Sequence, residues 1–160
     1  MTREDFQREA EAMRPMLLQV ATGLLGSAAD AEDSVQDALL KLCLMADTLR
    51  RPVAPLAKVL VRNLCVDRLR RRRQTVPLEL TAMQAQPQEG MDGDALAHVM
   101  KVIDTLPAAQ QVVLRLRHID GMPMDEIARL TGASEAAVRK QLSRARMAVR
   151  KHYLDSLEDE

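Results

Sequence analysis

The stretch MDEIARLTGASEAAVRKQLSRARMAVRKH, running from Met124 to His152, decides how the rest of the chain is read. Its spacing matches two helices joined by a tight turn, with Ile127 and Ala128 on the first, Gly132 in the turn, and Val138 and Leu142 on the second. Ala128 offers a small side chain where the second helix has to cross. Gly132 suits a turn whose backbone conformation is costly for any residue with a Cβ. Rotating about 100° per residue from Val138 puts Leu142, Ala145 and Val149 within about 40° of it, which makes one buried stripe. Arg139, Ser143, Arg146 and Arg150 fall on an adjoining face, with Ala136, Lys140 and Met147 just beyond. This is a helix-turn-helix pattern, and its docking geometry places the N-terminal part of the second helix in a major groove. A solvated basic face on an ordinary helical pair would also fit. The coincidence of turn glycine, alanine and basic stripe favours DNA.

Outward from this stretch, 160 residues suffice for one domain or two small ones, and 47% hydrophobic content allows real cores. Phe6 and Tyr153 are the only aromatic residues, and the apolar remainder is mostly Leu, Ala, Val and Met. That composition predicts an all-helical fold, because sheets draw on aromatic and β-branched residues. The formal net charge is zero, but the charge is blocked along the chain. Residues 1 to 49 carry four basic and nine acidic groups, whereas residues 50 to 73 carry nine basic and one acidic. Residues 74 to 105 are acidic again, residues 106 to 153 hold nine basic and four acidic groups, and the last seven hold four acids. Two basic blocks among acidic ones suggest two contacts with polyanions.

No apolar run is long enough to span a bilayer, and MTREDFQREAEAM has neither the basic flank nor the apolar core of a signal peptide, so a cytoplasmic protein is expected without membrane insertion. Cys43 and Cys65 lack CxxC spacing and read as core thiols. His98, His118 and His152 are scattered; neither a metal nor a cofactor is expected.

Taken in order, Thr2 and Asp5 resemble a capping box opening a helix that turns Phe6, Met13, Met16, Leu17, Val20 and Leu24 inward, kinked or divided at Pro15 and ended by Gly23 and Gly26. Ser27 or Asp30 caps a second helix, about 31 to 46, with Val35, Ala38, Leu39, Leu42, Met45 and Ala46 as its core stripe. On its far side Leu40 and Leu44 share a sector with Asp33, Gln36 and Asp37, an apolar strip in an acidic surface that reads as a partner face or as burial against a neighbour. Arg50, Arg51, Pro52 and Pro55 mark a loop, followed by a helix to about Arg73 whose apolar members are Leu56, Val59, Leu60, Cys65, Val66 and Leu69. Arg68 and Arg70 to Arg73 would repel one another there without a polyanion or solvent. Residues 74 to 93, rich in Pro, Gly and polar side chains, read as a flexible linker. A second domain starts near Asp94 with Leu96, Val99, Met100, Val102 and Ile103, continues from Leu106-Pro107 through His118, turns at Asp120-Gly121, and completes a bundle of about four helices.

With these segments in place, the chain resembles the extracytoplasmic-function sigma factors of the sigma-70 family, bacterial transcription initiation factors. The resemblance rests on DAEDSVQDALLKL at Asp30 to Leu42, VRNLCVDRLRRRR at Val61 to Arg73, and LPAAQQVVLRLRHIDGMPMDEIARLTGASEAAVRKQLSRARMAVR at Leu106 to Arg150. It implies two small helical domains on a flexible linker: region 2 over residues 1 to 73 and region 4 over residues 94 to 153, with 154 to 160 an acidic tail. It implies that the helix bearing Asp33, Gln36, Asp37, Leu40 and Leu44 docks on the clamp helices of the largest subunit of core RNA polymerase, and that region 4 meets the polymerase flap. The minus-ten promoter element would meet Arg62, Asn63, Asp67, Arg70 and Arg71. The minus-35 element would meet Ser134, Glu135, Ala136, Arg139, Lys140, Ser143, Arg144, Arg146 and Arg150. The resemblance leaves room for an anti-sigma protein clamping the two domains.

One departure stands out. Where many members carry a WLYRIARN-like run, this chain reads LAKVLVRN from Leu56 to Asn63, so no aromatic platform exists for stacking an unpaired base. Capture of a flipped base by loop backbone and polar groups from about Asp47 to Pro55 is expected instead. Competing readings are a helix-turn-helix regulator that does not dock on polymerase, a DNA-acting enzyme built on Glu32, Asp33 and Asp37, and a helical adaptor. The first leaves the arginine-rich domain without a role, and the second has no His or Lys paired with its acids.

Overall fold

The computed structural model describes residues 1–75 and 93–158; the expected linker falls almost entirely outside them. The described residues form seven α-helices and one short 3-10 turn, with no strand. The first group is α1 (Arg3–Leu25), α2 (Ala28–Leu44), the 3-10 turn Ala46–Thr48, and α3 (Ala54–Thr75). The second is α4 (Gly93–Asp104), α5 (Ala108–His118), α6 (Met124–Thr131) and α7 (Glu135–Glu158).

α1 opens as its sequence dictates: the Thr2 side chain accepts from the Asp5 amide, and Glu4 and Asp5 place negative charge at the positive end of the helix dipole. It closes at Gly26, whose φ of 70° supplies the left-handed residue. Two expectations are corrected here. Pro15 does not divide the helix, which continues through it on an exposed turn where water can take the carbonyl that proline leaves without a donor. The buried stripe runs Phe6, Met13, Leu17, Ala21, Leu25, so the helix ends with Leu25 inward and Leu24 outward.

α2 starts three residues before its expected boundary, capped by Ser27 on the Asp30 amide, and buries Val35, Ala38, Leu39 and Leu42; Met45 and Ala46 are also buried, but beyond the helix. The loop that follows distributes its side chains in different directions. Leu49 and Val53 enter the core, while Arg51 reaches Asp5 at 2.9 Å and Glu9 at 3.6 Å on α1. α3 then packs Leu56, Ala57, Leu60, Val61, Leu64 and Cys65 against α1 and α2.

The arginine run at the end of α3 is not left to repel itself. Arg68 pairs with Asp30 at 3.3 Å, Arg72 also pairs with Asp30, and Arg71 pairs with Asp67 at 3.2 Å and Asp104 at 2.7 Å. Arg72 additionally donates to the carbonyl of Leu25 at the end of α1.

In the second group Val112, Val113, Leu114 and Leu116 of α5 pack with Ile103, Leu106, Ile127, Val138, Leu142 and Ala145. The helix-turn-helix forms as its spacing requires: α6 ends at Gly132 (φ 76°), and the Ser134 hydroxyl accepts from the Ala137 amide to start α7. α7 continues to Glu158, so the first residues of the supposed acidic tail belong to the recognition helix's own extension. The two groups touch, with α5 against α2 and α3, and α6 against α3.

Gly132 has a second constraint. A Cβ there would stand 2.8 Å from Cγ and 3.1 Å from the backbone N of Arg50, in the loop before α3, whereas a Cβ on Gly121 (φ 66°) meets open space. Gly121→Ala should therefore cost about 1–2 kcal/mol, the price of a left-handed Cβ. Gly132→Ala should cost measurably more in urea unfolding, because the Arg50 segment must also move.

Candidate nucleic-acid and partner interfaces

The face of α7 presented to solvent is the one its wheel predicts. Val138, Leu142 and Ala145 are buried and Val149 half-buried, while Ser134, Glu135, Ala136, Arg139, Lys140, Ser143, Arg144, Arg146 and Arg150 are all exposed. Five of these nine residues are cations on one helix, with Arg139 leaning on Glu135 at 3.7 Å. Such a surface can neutralise phosphates with its cations and offer Arg, Lys and Ser to base edges.

Arg146 is held from behind. Its Nε donates to Nε2 of His118, at the end of α5, at 3.0 Å, which requires a neutral imidazole with its lone pair on that nitrogen. Burial, then the charges of Arg146 and Arg117, hold the His118 pKa below the usual histidine value. The folded form therefore binds this proton less readily than the unfolded chain. The contact is intact above about pH 6.5 and is lost as pH falls through the lowered value.

On α2, Leu40 is 58% and Leu44 68% exposed, among exposed Asp33, Gln36 and Asp37. Burial of these leucines against a neighbour is ruled out within the described chain. Gln36 accepts from Arg14, Asp33 lies 3.8 Å from Arg68, and Asp37 pairs with Lys41 one turn on, which corrects the expectation that these acids have no lysine partner; an exposed i,i+4 pair of this kind only lightly tethers the acidic face. Between α1 and α2 a groove lined by Phe6, Ala10, Leu39, Leu40 and Cys43 continues this apolar strip.

The third set of expected residues is divided. Arg62 is exposed, Arg70 half-buried, and Arg71 ion-paired, but Asn63 and Asp67 are 1% and 7% exposed, covered by α5. What covers them is Arg115, itself 1% exposed. Arg115 donates from Nη1 to Asn63 Oδ1 at 3.3 Å, from both Nη atoms to Asp67 Oδ2 at 3.5 Å, and from Nη2 to Asp104 Oδ1 at 2.8 Å. Asn63 Nδ2 donates back to the Arg115 carbonyl at 3.4 Å. Beside it, burial raises the pKa of Asp120, against the pull of Asn63 and Arg62. Arg71 meets the same two aspartates; burial opposes its charge, yet Asp104 and Asp67 outweigh that and raise its pKa.

Arg115, Asp104 and His118 were missed as functional positions. The signal for Arg115 was present in QQVVLRLRH: Val112, Val113, Leu114 and Leu116 point to several sides of the helix around it, and a cation buried among them has to be answered by carboxylates from elsewhere. Which carboxylates do so is a property of the tertiary packing.

Among the described residues no helix is long and apolar enough to cross a membrane, and no group of three or more His, Cys, Asp or Glu could hold a metal ion. Cys43 and Cys65 are free thiols, half-buried and buried, and burial pushes Cys65 up in pKa.

Comparison with known proteins bears on these surfaces. The family models for sigma-70 region 2 and sigma-70 region 4 match residues 10–75 and 97–149. The ECF RNA polymerase sigma factor SigJ of Mycobacterium tuberculosis is 40% identical over 156 residues, 88% of this chain and 49% of that protein. The probable RNA polymerase sigma factor RfaY of Xanthomonas campestris pv. campestris is 30% identical over 162 residues, 93% of this chain and 40% of that protein. The ECF sigma factor SigM of M. tuberculosis is 32% identical over 122 residues, 73% and 61% of the two chains. The chain thus spans half or less of the length of the first two relatives. Among solved structures, the sigma factor RpoE in complex with the anti-sigma factor NepR from Bartonella quintana aligns over 95% of this chain and 98% of its own, with 22% identity and a TM-score of 0.42.

An NMR titration should place the His118 midpoint below that of an unperturbed histidine, and Arg146→Ala should move it back up. A midpoint indifferent to Arg146 would show that the pair does not form in solution.

Proposed function

The chain belongs to the sigma-70 family, carrying its regions 2 and 4, and from that premise we propose that it binds core RNA polymerase and directs it to promoters of two-element type. The observation that carries this reading is the face of α2: two leucines stacked one turn apart, left exposed in an acidic surface on a chain that also builds a helix-turn-helix. A DNA-binding regulator acting alone needs the second feature and has no use for the first.

In this reading Leu40 and Leu44 enter an apolar recess on the clamp helices of the largest subunit, and Asp33, Gln36 and Asp37 meet basic and polar groups around it. Region 4 lies near the flap and reads the minus-35 element. Ser134, Glu135, Ala136, Arg139, Lys140 and Ser143, near the start of α7, face base edges, and Arg144, Arg146 and Arg150 hold the backbone. Arg62, Asn63, Asp67, Arg70 and Arg71 serve the minus-ten element, where strand opening depends on polar capture of a base by the loop before α3 and on arginines at phosphates. The action is binding followed by strand separation, without covalent chemistry and without a cofactor, in the cytoplasm where polymerase and promoters are.

The test is transcription in vitro with core polymerase, followed by mapping of start sites; absence of core binding would overturn the reading. Leu40→Gln with Leu44→Gln should weaken core binding about tenfold or more while changing stability by less than about 1 kcal/mol, since both side chains are mostly exposed and Gln matches Leu in helix propensity. Across a promoter panel, Arg146→Ala should weaken all sites to a similar degree, whereas Arg139→Ala should alter preference among them. Identical profiles would remove the proposed division of labour.

A further inference from the structure

Asn63 and Asp67 are the α3 residues assigned above to promoter reading, and in this structure their acceptors are already occupied. Asn63 Oδ1 and Asp67 Oδ2 receive the Nη donors of Arg115, whose side chain is wholly buried between them and Asp104. A planar group offering N–H donors to an Asn and an Asp oxygen is the chemistry that the exocyclic amine of an unpaired cytosine or adenine would bring to the same atoms. The same acceptors cannot serve both, because α5 fills the space over them.

A separate contact has the same effect. Arg50, in the loop expected to capture the flipped base, is packed against the turn of the helix-turn-helix and shares a cleft with Ala128, Gly132, Ala133 and Ser134, at the start of the recognition helix. The element that would open the minus-ten sequence and the element that would read the minus-35 sequence therefore cover parts of each other.

We infer that Arg115 is an internal stand-in for a promoter base, latching the two halves into a closed form that cannot read the minus-ten element until Arg115 leaves Asn63 and Asp67. This rests on the promoter-reading role proposed for those residues. Asp104 is the hinge side of the latch: it belongs to the same half as Arg115, takes its shortest hydrogen bond, and also binds Arg71 of the other half at 2.7 Å. Opening would return Asp67 to Arg71 and leave Arg115 with Asp104, so neither half need expose an unanswered charge.

The experiment uses the full chain with fluorophores on cysteines replacing the exposed Arg8 and Lys151, in a Cys43→Ser background. The free chain should give a single narrow energy-transfer distribution that lengthens when core polymerase is added. The deciding variant is Arg115→Lys, which keeps the net charge, and so the non-specific pull on DNA, but lacks the planar fork that reaches Asn63, Asp67 and Asp104 together. The free Arg115→Lys chain should broaden towards the longer distances and bind a random-sequence single-stranded DNA pool about tenfold more tightly than the unaltered chain, with its helical circular dichroism retained; Arg115→Ala, checked in the same way, should do the same. Folded Arg115→Lys and Arg115→Ala chains with unchanged distances and unchanged DNA affinity would overturn the latch, as would an unaltered chain that binds polymerase without a change of distance. If the chain does not bind polymerase, the proposed function falls, and the Arg115→Lys comparison on the free chain still decides the latch.

Discussion

A guanidinium taken out of water has to be answered by acceptors, and the position of Arg115 organises much else in this molecule. Its three partners come from two helices: Asn63 and Asp67 one turn apart on α3, and Asp104 at the end of α4. α5 can be buried on all sides only where these groups converge, which fixes its rotation, and with it the apolar residues Val112, Val113 and Leu116 that the helix-turn-helix packs on. Arg71 completes two cations against two carboxylates, so the cluster is neutral, with Arg115 Nε alone left without a partner. Removing one member of such a cluster typically costs about 3–5 kcal/mol, whereas the intact cluster adds little net stability over an apolar replacement. Its value is then in specifying an arrangement rather than in strengthening the fold.

That distinction explains what could and could not be read from the sequence. The helix-turn-helix was legible because its determinants are local: a glycine at positive φ, a serine that caps, and apolar residues returning to one side of α7. The exposed face of α2 was legible for the same reason, since periodicity separates Val35, Ala38 and Leu42 from Leu40 and Leu44 without knowledge of the neighbours. Leu24 against Leu25 was not, because at a helix end the wheel tolerates either, and the choice falls to what α1 meets. Pro15 does not divide α1, because it lies on an exposed turn where water can meet the carbonyl left without a donor. Asn63 and Asp67 were identified by family pattern as DNA-facing, yet whether they face anything depends on a cation 48 and 52 residues away.

The aliphatic composition has its own consequence. With Phe6 as the one aromatic in the first half, the core is built from Leu, Val, Ala and Met, which pack well between helices but offer no ring for a base to stack on. Strand capture would then rest on hydrogen bonds and phosphate contacts. Hydrogen-bonding groups are also the ones that another part of the chain can occupy, as Arg115 does.

The same logic revises the two basic blocks. As sequence they look equivalent, but Arg68, Arg71 and Arg72 are paired with Asp30, Asp33, Asp67 and Asp104, whereas Lys140, Arg144, Arg146 and Arg150 carry no carboxylate partner among the described residues. A phosphate approaching α7 displaces counterions only; one approaching the end of α3 has to displace the protein's own carboxylates as well. In the proposed function, non-specific affinity of the free chain for DNA would be carried by the second block, and the first would contribute once its aspartates are released or a partner holds the duplex nearby. Tethering through polymerase would do the latter, because an effective concentration of about millimolar turns a weak exchange of ion pairs into an occupied contact without any new interaction being made.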